Sequence, residues 1–145
     1  MPTLATINDL KTISKMVSEF YSEESYPYNE KEIEKNLETL LSDNKLGNIF
    51  LIKDENQIAG YCMVINSFCL ELGGKIGYID ELFVKKESRN KRLSTNCLNY
   101  IIESYRLNKY ASLRLEVEIK NYKTIEYYKR FNFSPHQRIL MSFRL

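Results

Sequence analysis

A chain of 145 residues that is 43% hydrophobic and 28% charged has the make-up of one globular domain, and a net charge of +2 gives it no general appetite for polyanions. No apolar run approaches the ~20 residues that cross a bilayer. The N-terminal stretch MPTLATINDLKTISKM lacks the basic region and apolar core of a secretory signal, so a single cytoplasmic domain over residues 1–145 is expected. The three cysteines, Cys62, Cys69 and Cys97, show no C-x-x-C spacing and lie far in sequence from the only histidine, His136. They read as small apolar core residues, and no metal site is expected.

In chain order, residues 3–6 (TLAT) read as a short strand, after which Asn8 is placed to cap a helix carrying Leu10, Ile13, Val17, Phe20 and Tyr21 on one face. A second helix is expected beyond Pro27, capped near Asn29, with Ile33, Leu37, Leu40 and Leu41 as its stripe. NIFLIKD (48–54) and QIAGYCMVIN (57–66) are strand-like runs around a short polar turn, a hairpin pattern. LGGKIG (72–77) reads as the next turn, leading into the strand YIDELFV (78–84). Leu93, Cys97, Ile101 and Tyr105 then recur at helical spacing, SLRLEVEI (112–119) alternates as a strand, Asn121 opens a helix to about residue 130, and RILMSFRL (138–145) closes as a strand. The order β-α-α-β-β-β-α-β-α-β is that of an α/β (α+β) fold. Strand–helix–strand over 78–119 is a right-handed crossover between parallel strands, so the central sheet is mixed.

That crossover contains the sharpest local feature. Lys85, Lys86, Arg89, Lys91 and Arg92, against Glu87 alone, give residues 85–92 a net +4, twice the charge of the whole chain. The first N–H groups of a helix lack intrahelical partners, and its dipole puts about half a positive charge there. A basic strand-to-helix turn is therefore suited to an anion such as phosphate, at the strand ends where ligands of open α/β sheets gather. A solvated basic loop is the plain alternative. Nucleic acid fits poorly, because no aromatic residues interleave with these cations.

The run IDELFV (79–84), followed by Arg89 and Ser94, then a helix, a strand, and Asn121-x-x-Thr124-x-x-x-Tyr128-x-x-x-Asn132-Phe133, resembles the GNAT superfamily of N-acetyltransferases. The element order over nearly the whole chain is similar to that family's. SEFYSEESYPYNE and NSFCLELGGKIGYIDELFV resemble a small bacterial GNAT subgroup of undefined substrate, and IEYYKRFNF is similar to the matching helix of polyamine acetyltransferases. The resemblance implies a three-layer GNAT-like fold with a twisted mixed sheet, and transfer of an acetyl group from acetyl-CoA directly to an amine. It implies contacts to the cosubstrate from Leu82, Phe83 and Val84, from the turn Arg89, Asn90, Lys91, Arg92, Leu93, Ser94 and Thr95, and from Asn121. Proteins of that family are often homodimers, and the oligomeric state of this chain stays open.

The family's phosphate turn reads Arg/Gln-x-x-Gly-x-Gly/Ala, and here its first glycine falls on Arg92 and its last small residue on Ser94. Glycine lets backbone approach phosphate without a side chain in the way. Two outcomes stay open. If residue 92 is already helical, its guanidinium could add a bidentate contact. If its volume blocks the turn, the chain is a non-catalytic GNAT-fold protein binding an acyl-CoA, another phosphate ligand or a protein partner. Asn132, another position where the family has glycine, is a milder change, because asparagine visits left-handed backbone readily.

A primary amine of pKa near 10.4 is charged at pH 7 and needs a base. Alternation places Ile79, Glu81 and Phe83 on one strand face and Tyr78, Asp80 and Leu82 on the other. Glu81 is the expected base, matching an acidic position of polyamine acetyltransferases, with an exposed or paired strand carboxylate as the alternative. Asp80, Glu71, Glu116 and Tyr26 are candidates for amine recognition, Tyr26 lying in an acidic, tyrosine-rich segment (18–30) that suits a cationic substrate. A backbone N–H near Phe83 or Val84 would meet the oxyanion. The resemblance puts Tyr128 in the general-acid position; tyrosines at helical spacing are otherwise core residues.

Overall fold

The computed structural model describes residues 1–145. Strands β1 (Thr3–Leu4), β2 (Gly47–Asp54), β3 (Gln57–Cys69), β4 (Gly74–Val84) and β5 (Ser112–Leu115) lie side by side in that order in one sheet. The first three pairings are antiparallel and the β4–β5 pairing is parallel. The chain turns back between β4 and β5 through α3 (Leu93–Leu107), which is the expected crossover. The mixed sheet agrees with the sequence reading.

Alternation along the strands builds a core on each face. Ile49 and Leu51 of β2 and Tyr61 and Met63 of β3 point to α1 (Leu10–Glu24) and α2 (Glu30–Ser42), meeting Ile13, Met16, Val17 and Leu37. Phe50, Ile52, Cys62 and Val64 point the other way, to Cys97, Leu98, Ile101 and Tyr105 of α3 and to Tyr127 and Tyr128 of α4 (Tyr122–Lys129). Three layers follow. Gly77 is where α3 sits closest: a Cβ there would lie 2.7 Å from both the Tyr105 ring and Leu113.

Asn29 and Asn121 cap their helices as expected, each side chain accepting an N–H three residues on at 3.2 Å. Asn8 is not the cap of α1. The chain enters α1 through a 3-10 turn, Ile7–Asp9, where the Asp9 carboxylate accepts both the N–H (2.8 Å) and the hydroxyl (3.0 Å) of Thr6. β3 and β4 are longer than expected, and the glycines that form their turn are Gly73 and Gly74, both at positive φ.

Three expectations need correcting. β5 ends at Leu115 instead of 119, because β4 carries a bulge: Val64 pairs with Ile79 and Met63 with Glu81, leaving Asp80 as the extra residue. The same bulge reverses the alternation. Ile79 faces α3, while Glu81 and Phe83 face α1, so Ile79 and Glu81 are on opposite faces and not on one. The closing strand at 138–145 does not form. Its alternating pattern satisfies only half of what a strand needs; no backbone partner is supplied, and the segment remains irregular and exposed.

Candidate active site

Parallel pairing stops at Ile79 and Leu115, yet β4 runs on to Val84. The last turn of strand therefore has a free edge where β5 would have been. The N–H of Lys85 bonds to Ala59 in β3 at 2.8 Å. With a period of two, the N–H of Phe83 also faces β3, and those of Leu82 and Val84 face the free edge. Of the two donors named from sequence, Val84 is on the open side and Phe83 is not.

Glu81 is held at this edge from the α1 side. Tyr21 donates its hydroxyl to one carboxylate oxygen at 2.8 Å and Tyr61 donates to the other at 2.7 Å. Burial pushes the carboxyl above the usual range, the two phenol bonds pull it partly back, and Asp80 nearby adds to the rise. Both phenols are raised in turn, chiefly by burial and then by the Glu81 charge. Asp80, exposed in the bulge, is raised by desolvation and by Glu116. Tyr26 is exposed and packs edge-to-face on Tyr21 at 5.6 Å, so it does join the Glu81 cluster. Glu71 does not. It sits in the β3–β4 turn, tied to Arg138 at 2.6 Å, and seven or more residues of strand, roughly 20–25 Å, separate it from Glu81.

The basic turn is less free than its composition suggests. Arg89 donates Nε–H to the Val84 carbonyl (2.9 Å) and pairs with Glu23 of α1 (2.7 Å), while Lys91 pairs with Asp54 of β2 (2.6 Å), which also accepts the Ser88 hydroxyl. Lys86 reaches Glu23 only at 3.9 Å. Much of the charge at 85–92 thus fastens the turn to α1 and β2. The Arg92 guanidinium is exposed and has no hydrogen bond or ion pair. Nor is its backbone right-handed helical: Arg92 caps α3 at φ 61°, ψ 17°, and Asn90 stands at φ 65°. An arginine occupies the left-handed conformation a glycine would adopt freely, at a cost of roughly 1–2 kcal/mol.

That backbone leaves the helix mouth open. The first bond of α3 runs from the Asn96 N–H to the Arg92 carbonyl (2.9 Å), so the amides of Leu93, Ser94 and Thr95 precede the ladder, and no side chain caps them. Three uncapped amides at a helix N-terminus are a donor set of the kind that suits a phosphate. Tyr127, read from the sequence only as one of the helix tyrosines that are usually core, reaches this mouth, donating to Ser94 Oγ at 3.0 Å with the Arg130 guanidinium over its ring. Tyr128 packs on the α3 face against Tyr127 and Phe133. Burial, followed by Cys62 and Tyr127, raises its phenol well above the usual value, so it stays protonated through neutral pH. Asn132 takes the left-handed turn after α4, at φ 66°, as expected.

Tyr21 and Tyr61 are the residues of the Glu81 cluster that sequence reasoning assigned no role. Tyr21 was visible as part of an apolar stripe and of the tyrosine-rich segment 18–30, but its partner is 60 residues away.

A mixed sheet whose one parallel pairing stops short of the β4 end, beside an uncapped helix mouth, defines the class: a three-layer α/β fold. Residues 11–133 match the model of the acetyltransferase (GNAT) family, and the chain belongs to that family; acetyl transfer is its class of chemistry. Among solved structures, the chain resembles an integron cassette protein from the mobile metagenome of Cole Harbour Salt Marsh (26% identity, 99% of this chain and 90% of that one, TM-score 0.88). It shares its fold with a possible acetyltransferase from Clostridium difficile 630 (21% identity, 100% and 97% coverage, TM-score 0.88). A ribosomal-protein-alanine N-acetyltransferase from Brucella melitensis biovar Abortus 2308 has the same fold at 13% identity (100% and 99% coverage, TM-score 0.77). No curated protein matches the chain. No helix is long and apolar enough to cross a membrane.

Proposed function

We propose that the protein is an N-acetyltransferase that moves the acetyl group of acetyl-CoA directly to a primary amine on a small molecule or a protein. The observation that carries this reading is the alignment of three things along one strand end: the Glu81 carboxylate, the free edge after Ile79, and the uncapped amides of Leu93–Thr95. Acetyl-CoA supplies the thioester. The amides of α3 and the Arg92 guanidinium hold its phosphates, and the N–H groups of Leu82 and Val84 line the edge beside its arm. Asn121, whose side chain caps α4, adds a contact to that arm.

Glu81 acts as the base that takes a proton from the incoming ammonium. Its raised carboxyl brings it closer to neutral pH than a free glutamate, which improves proton transfer. One oriented N–H at the edge, that of Val84 or Leu82, stabilises the negative charge that develops on the carbonyl oxygen. Tyr128 keeps its proton and gives it to the departing sulfur. Tyr26 and Asp80 flank Glu81 and favour a cationic acceptor.

Calorimetry with coenzyme A tests the binding half, and release of free thiol from acetyl-CoA across a panel of amines tests the chemistry. Heat on binding together with amine-dependent thiol release supports the reading. No binding at millimolar coenzyme A would overturn it in favour of a non-catalytic role for the fold.

A further inference from the structure

Phe20, Tyr21, Tyr26 and Tyr28 fall within nine residues of sequence, and the fold gathers all four beside Glu81. Phe20 and Tyr21 lie in the last turns of α1. Ser25 then takes the left-handed conformation, φ 58°, and the Tyr26 N–H returns to the Tyr21 carbonyl at 2.9 Å, so the chain folds back over the helix end. The Tyr26 ring thereby meets Tyr21 at 5.6 Å and 83°, and Phe20 at 6.1 Å and 79°. Tyr28 meets Tyr21 at 6.3 Å and 86°, with its hydroxyl 3.2 Å from that of the buried Ser14.

Core packing accounts for only half of this group. Phe20 and Tyr21 rest against the core on the α1 side, but Tyr26 and Tyr28 are 48% and 37% exposed. Both stand nearly perpendicular to Tyr21, so the three rings meet as walls of a recess instead of a flat stack. Tyr21 is the wall shared with the chemistry: its hydroxyl is bonded to Glu81, and the charges of Glu81 and Asp80 both bear on it. Aromatic faces in a negative field attract a cation. The kind of cation follows from the hydrogen bonds. The hydroxyls of Tyr21 and Tyr28 are engaged with Glu81 and Ser14, and both Glu81 oxygens accept phenols. An ammonium or guanidinium entering the recess would give up water without recovering partners for its N–H groups, whereas an N-alkylated ammonium has none to satisfy.

We propose that the acceptor carries two nitrogens: the primary amine that Glu81 deprotonates, and a trimethylammonium-type cation that seats among Tyr21, Tyr26 and Tyr28. The first half rests on the acetyl-transfer reading. The second does not, because the recess binds such a cation with or without a reaction.

Two measurements keep the halves apart. Calorimetry with choline, against dimethylbutanol as its neutral isostere, reads the recess alone. Choline is expected to bind about 10-fold more tightly than the alcohol. Tyr26→Leu abolishes that preference and Tyr26→Phe keeps it, because the ring and not the hydroxyl holds the cation; an unchanged far-ultraviolet spectrum shows both variants folded. No heat from choline, equal affinity for the two probes, or a preference that survives in Tyr26→Leu overturns the proposal. Thiol release from acetyl-CoA then compares aminobutyl-trimethylammonium with dimethylhexylamine, the neutral amine of the same shape. The cation is expected to have the higher kcat/KM, about 10-fold, with the difference in KM and lost in Tyr26→Leu. Phenethylamine serving as well as the cation would mean that the rings stack on an aromatic acceptor, and overturns it. Selective choline binding with no thiol release from any amine supports the cation recess and removes the acetyl-transfer reading; thiol release from simple amines without choline selectivity removes this proposal alone.

Discussion

Tyr61 and Tyr21 each donate to a different oxygen of Glu81, at 2.7 and 2.8 Å, so a single carboxylate joins β3, β4 and α1. The bulge at Asp80 makes this possible. Without the extra residue, Glu81 would point to α3 with Ile79. A carboxylate that accepts two phenols and is still raised is dominated by burial, which is the condition that tunes a glutamate towards work as a base.

The first prediction concerns that balance. In the wild type kcat/KM falls on acidification as Glu81 takes up a proton, with an apparent pKa above 4.5. Tyr21→Phe removes one of the bonds that lower this value, so the acid limb moves to higher pH. Glu81→Gln lowers kcat by ~10²–10⁴-fold and abolishes the limb, with coenzyme A affinity unchanged. Steady-state rates across pH check all three; a limb that stays put in Tyr21→Phe removes Glu81 from the role of base. The stability sign is opposite to that of an ordinary ion-paired carboxylate. Because the folded pKa is raised, the contribution of Glu81 is complete below about 4.5 and is lost as pH rises through the folded value.

A second prediction addresses Arg92, the arginine in left-handed backbone. Replacing it with glycine relieves roughly 1–2 kcal/mol of steric cost but adds back about 0.5–1 kcal/mol of chain entropy. Unfolding free energy therefore rises by no more than about 1.5 kcal/mol. Coenzyme A affinity behaves differently, because an unpaired guanidinium beside three free amides is worth a charge-assisted bond. Arg92→Gly weakens binding ~10-fold or more and flattens its salt dependence. Calorimetry at two ionic strengths decides it, and tighter binding by the glycine variant would show the side chain to be an obstruction.

The sequence disclosed most of the element order, the parallel crossover and two of the three helix caps because those rest on local periodicity and on side chains that reach their own backbone, whereas the three layers came from the family resemblance. Asn29 and Asn121 are read off three-residue spacings. The bulge at Asp80 leaves no such mark, since nothing in IDELFV says which residue is extra, and the face assignment of Glu81 relative to Ile79 failed with it. The basic turn was legible as charge but not as pairing. Glu23 and Asp54, which hold Arg89 and Lys91, are 66 and 37 residues away along the chain. The strand pattern of 138–145 was read correctly as a pattern, but a strand is completed by a partner, which lies outside the segment's own sequence.

A third prediction separates two adjacent tyrosines. Tyr128→Phe lowers turnover by tens-fold or more and leaves coenzyme A affinity nearly intact, as expected for a proton donor. Tyr127→Phe removes the bond to Ser94 at the helix mouth, so it weakens coenzyme A binding severalfold and leaves turnover at saturation close to wild type. Measuring kcat and binding in parallel distinguishes them. Equal losses in both parameters for both variants would mean that the tyrosines merely pack α4 onto α3.

The fourth prediction follows from the pairing of Arg89 with Glu23. Both side chains are partly exposed, so the ion pair itself stabilises the fold by no more than about 1 kcal/mol. Arg89 does not depend on it for position, because its Nε–H remains bonded to the Val84 carbonyl and its guanidinium lies 5.9 Å from the Phe83 ring. Glu23→Gln therefore removes a negative charge next to the turn while the turn keeps its shape. The melting temperature shifts by a few degrees at most, and coenzyme A binds more tightly at low salt, an advantage that shrinks as ionic strength rises to about 0.15 M. Were Glu23 instead an anchor on which the turn depends, the same substitution would weaken binding at every salt concentration, and the charge at 85–92 would have a structural role before a ligand-binding one.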